Sequence, residues 1–168
     1  MSVRTLTKTA LLTAAALILF VIESRLPRLV PLAGVKLGLG NVVLVYALYI
    51  LGAKPAFAVL LGKVTLGSIF TGSALSFMYS LSGGLVCFGA MLAIKRLLTH
   101  RQIWVCSVIG AIFHNIGQIL MALLVTQTVH VLGYFPILLA SGLMTGTLTG
   151  LAAQLVHERL VQSQSGKP

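Results

Sequence analysis

Residues 103–127 read IWVCSVIGAIFHNIGQILMALLVTQ, and no Asp, Glu, Lys or Arg interrupts them. An α-helix rises about 1.5 Å per residue and the hydrocarbon core of a bilayer is about 30 Å thick, so roughly 20 such residues suffice to cross it. The stretch reads as a transmembrane helix. His114, Asn115 and Gln118 lie inside it and fall on one side, because positions three and four apart are helix neighbours. Gly110 and Ala111 keep that neighbourhood open.

The rest of the chain repeats the pattern. Of its 168 residues 58% are hydrophobic and 8% charged, against about a quarter charged in a soluble domain. A soluble globular fold is thereby excluded. A first span runs from about Thr7 to Ser24, a second from Val35 to Leu51, and a third from Pro55 to Phe70. The fourth covers Ala74 to Leu98, the fifth Ile103 to Gln127, and the sixth Pro136 to near Val156. The expected fold is an all-α bundle of about six transmembrane helices. It forms a single domain over residues 1–157, with a polar, fraying cytoplasmic tail over 158–168. The apolar start resembles a secretory leader, but Val21-Ile22-Glu23-Ser24 offers no small-x-small cleavage site, so it is read as a retained helix.

Charge sets the orientation. There is no Asp, and the acids are Glu23 and Glu158, against twelve Lys and Arg. With six spans, Arg4, Lys8, Lys54, Lys95, Arg96, Arg101, Arg159 and Lys167 share one side, and Arg25, Arg28 and Lys36 the other. Cationic loops stay cytoplasmic, so both termini are expected there, in a multi-pass protein of the cell membrane. Cations set between apolar runs fit anionic lipid rather than nucleic acid, which requires a basic face on a soluble domain. Cys87 and Cys106 lie in or beside apolar runs and read as buried side chains.

Ionisable groups at membrane depth are costly and point to function. Lys63 stands in the third span between Leu60, Leu61 and Val64, and Asn41 lies a turn and a half inside the second, below Lys36. Rise along each helix places Asn41, Lys63, Asn115 and Gln118 between the bilayer middle and its outer half. Together with Lys36 at the mouth and His114 nearby, they form a candidate pocket for an anionic or acceptor-rich small molecule. The bland alternative is that Lys63 snorkels while Asn115 and Gln118 tie helices together. No carboxylate is expected at the depth of Lys63. Glu23 is expected to pair with Arg25 or Arg28 at the outer interface, or the loop from Glu23 to Pro31 serves as a gate.

Small residues mark packing faces: Gly142, Gly146 and Gly150 in the sixth span, Ser76, Ser80 and Gly84 in the fourth, Ala10 and Ala14 in the first. Ala10 and Ala14 fit either packing within the chain or a helix from a partner protein.

Several chemistries lack their groups. Prenyl synthases hold magnesium through Asp-rich motifs, and this chain has no Asp. Gly62-Lys63-Val64-Thr65 is not a phosphate-binding loop, because the Gly-rich turn is missing. A lone His gives no metal site. The chain is not read as an enzyme, and no cofactor is expected.

Val30-Pro31-Leu32-Ala33-Gly34-Val35-Lys36-Leu37-Gly38-Leu39-Gly40-Asn41 resembles the hallmark of the Gx transporter family, also labelled heptaprenyl diphosphate synthase component I. So do Gly110-Ala111-Ile112-Phe113-His114-Asn115-Ile116-Gly117-Gln118 and Ser141-Gly142-Leu143-Met144-Thr145-Gly146. The family is similar to the substrate-binding S components of energy-coupling factor (ECF) transporters, small six-helix proteins that capture vitamins or their precursors. The resemblance implies a transmembrane coupling subunit and ATPase subunits as partners. It implies that Ala10 and Ala14 meet the coupling subunit, and that a cation, often Arg, stands at Lys63. Two other readings remain: a non-catalytic membrane subunit in isoprenoid or quinone metabolism, holding a lipid diphosphate near Lys36 and Lys63, and an autonomous channel.

Overall fold

The local chemistry of the turns decides where the helices begin and end. In the computed structural model, residues 2–25 and 38–165 are described. They form six α-helices: α1 Val3–Arg25, α2 Asn41–Ile50, α3 Ala53–Thr71, α4 Ala74–Lys95, α5 Ile103–Thr126 and α6 Phe135–Ser165. Pro55 falls in the first turn of α3, where an N–H has no intrahelical acceptor in any case. The same helix stops at Gly72, whose left-handed φ of 62° suits a residue without Cβ. Ser73 then caps α4, its Oγ accepting from Ser76 N at 3.1 Å. Thr99 and Gln102 form a reciprocal capping box around the short 3₁₀ turn that leads into α5.

Five of these helices are long and apolar enough to cross a membrane, so the chain is a multi-pass membrane protein. The exception is α2. A second full span from Val35 was expected, but α2 begins at Asn41 and has ten residues, about 15 Å of helix, or half the hydrocarbon core. Residues 35–37 lie outside the described part. The backbone ahead of Asn41 is not helical: Gly38 has φ +83°, and Asn41 N and Val42 N bond back only three residues, to Gly38 O and Leu39 O. Asn41 is therefore the first residue of its helix rather than a residue a turn and a half inside it.

At the other end, α6 continues past Val156 to Ser165, so the expected fraying tail is largely helical. No Gly or Pro falls between Gly150 and Ser165 to stop it, and Gln154 Nε2 donates to Glu158 Oε1 at 2.9 Å one turn away.

Close approach of small residues joins the helices, since lipid tails provide no hydrophobic drive between them. A Cβ on Gly117 of α5 would lie 2.8 Å from Ser82 O and Gly83 Cα of α4. Gly142, Gly146 and Gly150 of α6 lie directly on α5, at Asn115, Val108 and Trp104 respectively. Ser107 and Thr149 share a hydrogen bond of 3.1 Å in the same seam. The glycine groove of the sixth span is thus used inside the chain, and α5 sits between α4 and α6. Leu44, Leu48, Leu60, Met91 and Ile103 are fully buried around α2, while Tyr79, Ile119, Ala122 and Leu138 form a second core between α4, α5 and α6. Cys87 and Cys106 are both buried as free thiols. Helix α1 packs on α3, with Thr13 against Gly62 and Phe20 against Gly67. It is otherwise peripheral, with Leu6, Leu11, Ile18 and Ile22 all more than half exposed.

Candidate functional site

Helices α2 and α3 are antiparallel neighbours joined at Leu51 and Gly52. Asn41 and Lys63 each lie about ten residues from that turn, ~15 Å along their helices, and so meet at one level of the bundle. Lys63 Nζ donates to Asn41 Oδ1 at 2.8 Å, and the two side chains are 4% and 6% exposed. That is the one hydrogen bond Lys63 makes among the described residues, which leaves two of its three N–H groups to fill. Asn41 Nδ2 is buried without an acceptor. The cluster therefore holds more donors than acceptors.

Glycines make the room. A Cβ on Gly40 would lie 3.1 Å from Lys63 Cδ and 3.2 Å from Ala16 O, so the lysine stem passes over bare backbone. A Cβ on Gly38 would meet Asn41 Nδ2 at 2.8 Å and His114 Cδ2 at 3.2 Å. Gly38 is therefore the point where α2 and α5 come together. On its other side the His114 ring lies against Gly83 of α4.

The carboxylate of Glu23 completes the site. It was expected to pair with Arg25 or Arg28 at the outer interface, and Arg28 lies outside the described residues. Glu23 stands in the last turn of α1 and is buried, with Oε1 accepting from Gly38 N and Oε2 from Leu39 N at 3.0 Å. Its charge acts on Lys63. A negative group at the start of a helix is favoured by the unpaired N–H groups and the positive end of the helix dipole. The gate suggested for Glu23 to Pro31 falls largely on residues 26–37, outside the described part, as does Lys36.

Asn115 and Gln118 stand apart from this cluster. Asn115 is fully buried and turned to α6, where its Nδ2 donates to Leu138 O, a carbonyl that also accepts from Ser141 Oγ at 2.9 Å. Its amide thus ties α5 to α6, as the bland alternative has it, while Oδ1 has no partner. Gln118 is fully buried and neither end of its amide is paired among the described residues. The structure joins Asn41, Lys63 and, through Gly38, His114; among the described residues no side-chain hydrogen bond runs from these to Asn115 or Gln118.

Sequence reasoning missed the parts played by Glu23, Gly38, Gly40 and Gly83. A signal was present: Gly38-x-Gly40 before Asn41 disfavours helix there, and Glu23 interrupts an apolar run.

Ala10 and Ala14 are exposed on the outer face of α1. Beside them, at the end of the bundle that carries the α2–α3 turn, a cleft of about 470 Å³ lies between α1, α2 and α6, lined by Lys8, Leu11, Tyr46, Ile50, His157 and Leu160, among others.

No curated protein and no solved structure matches the chain. A family does. The sequence pattern of heptaprenyl diphosphate synthase component I matches residues 12–156, from the first helix into the last, and the chain belongs to that family.

Proposed function

We propose that this membrane protein captures a small anionic or acceptor-rich molecule at Asn41 and Lys63, as the substrate-binding subunit of an importer of the energy-coupling factor type. The observation that carries the reading is the buried Lys63 ammonium, which among the described residues has one acceptor and two N–H groups unfilled. A cation in that position is costly; the Glu23 charge offsets part of that cost, and the two remaining N–H groups are left for a ligand to accept. The late start of α2 at Asn41 supports the same reading, since a helix start within a span leaves backbone donors at the depth where transported anions bind. The exposed Ala10 and Ala14 and the adjacent apolar cleft suit the coupling subunit, with ATPase subunits beyond it. In this reading both termini are cytoplasmic, on the basic side. The chain itself is non-catalytic.

The family's name favours a second reading, a non-catalytic membrane subunit that holds an isoprenoid diphosphate for a soluble synthase. The same donors would take the diphosphate. The chain has no Asp with which to bind magnesium for the transfer step, so that chemistry would belong to the partner.

One purification separates them. Protein taken gently from its native membrane is analysed by mass spectrometry for bound small molecules and partners. A stoichiometric vitamin-like molecule with ATPase subunits supports capture for import, and a prenyl diphosphate with an Asp-rich synthase supports the second reading. In either case Lys63→Gln should reduce retention of the small molecule at least about tenfold, and Lys63→Arg should preserve it. Retention unchanged in Lys63→Gln would refute the site.

A further inference from the structure

The two oxygens of Glu23 occupy the backbone donors that an incoming anion would be expected to use. Gly38 N and Leu39 N lead into α2, and both point at this one carboxylate. Around them lie the unfilled N–H groups of Lys63 and the unpaired Asn41 Nδ2, both more than nine-tenths buried. The site thus contains a donor cradle with its own anion already in part of it. An oxyanion entering beside a fixed carboxylate would meet repulsion in a medium of low dielectric constant, where like charges interact strongly.

We infer that Glu23 is a built-in stand-in for the ligand: an oxyanion bound at Lys63 and Asn41 displaces the Glu23 carboxylate from Gly38 N and Leu39 N and takes over those donors. The inference rests on the capture function proposed above and adds a consequence to it. Glu23 is on the last turn of α1, and Gly38 and Leu39 lead into α2. Exchange of one anion for the other unfastens the end of α1 from the start of α2. Since α1 also carries Ala10 and Ala14, occupancy of the site is communicated to the helix that faces a partner.

A scaffold role for Glu23 predicts the opposite sign, so the test is direct. Full-length protein in lipid nanodiscs is titrated calorimetrically with inorganic pyrophosphate as the probe. Glu23→Gln, which removes the competing charge, should bind about tenfold more tightly than wild type, and Lys63→Gln should lose binding in either background. The wild type supplies a second readout that no variant's folding can spoil. Glu23 and Glu158 are the chain's only acidic side chains, so infrared difference spectra resolve them almost individually. Pyrophosphate should shift one carboxylate band, absent in Glu23→Gln and kept in Glu158→Gln.

Weaker or equal binding by a folded Glu23→Gln, or a Glu23 band that does not move, overturns the inference. If Lys63→Gln still loses binding in that case, the capture site stands. Equal binding by Lys63→Gln and wild type, or no binding by any form, overturns both.

Discussion

At the scale of single residues, space and unsatisfied hydrogen bonds decide what each position tolerates. Gly117 and Gly89 are both helical glycines, and sequence alone ranks them equally. A Cβ on Gly117 would press on backbone atoms of Ser82 and Gly83 at 2.8 Å, whereas a Cβ on Gly89 meets nothing within 4 Å. Gly117→Ala should therefore destabilise the bundle by about 1–3 kcal/mol through overpacking of the α4–α5 seam. Gly89→Ala should be neutral or stabilise by up to ~1 kcal/mol, since alanine favours the helix. Thermal unfolding in detergent, followed by circular dichroism, checks the pair, and equal behaviour of the two would contradict the packing described. Lys63 illustrates the same limit from the polar side. Its place in an apolar run and the rise along each helix grouped it with Asn41, but the direct bond between the two and Glu23 as the nearby charge were not legible, because they depend on how separate helices pack.

At the scale of elements, the exposed stripe of α1 and the shortness of α2 have separate consequences. Ala10 and Ala14 both face outward, so bulk added there disturbs nothing inside the chain. Ala10→Leu with Ala14→Leu should leave the unfolding temperature unchanged and remove at least about nine-tenths of any ATPase subunits that copurify with the wild type. Loss of stability in that double variant would mean that the stripe packs internally. Helix α2 was misread as a full span because its residues are apolar on either side of Asn41, and apolar runs do not by themselves say where a helix starts. The positive φ at Gly38 and the carboxylate of Glu23 set that start. The end of α6 was misjudged for a related reason. Polarity after Val156 suggested fraying, but polarity does not end a helix where no Gly or Pro intervenes and a side-chain pair supports it.

For the whole molecule, the charge distribution and the helix order make one topological statement that labelling can check. Cys87 and Cys106 are fully buried and should be silent towards a membrane-impermeant maleimide. Lys54→Cys, in the first turn of α3, and Arg101→Cys, in the 3₁₀ turn before α5, both exposed, should react only after the membrane is opened. His130→Cys, at the opposite end and also exposed, should react in intact cells. Labelling of Lys54→Cys and His130→Cys from the same side would contradict the bundle as an alternating array.

The sequence by itself determined that this protein lives in a membrane, that it is helical, and roughly where five of its spans run. Those properties depend on composition and on distance along one helix, and both can be read in one dimension. Tertiary structure alone decided which polar residues meet. Asn115 turns to the backbone of α6, Asn41 receives Lys63, and Glu23 reaches residues 38 and 39 from fifteen and sixteen positions away. The physical reason is rotation: a helix turns about 100° per residue, so neighbours such as His114 and Asn115 point to different helices. Which helix each one meets is fixed only by how closely the glycine seams bring the bundle together.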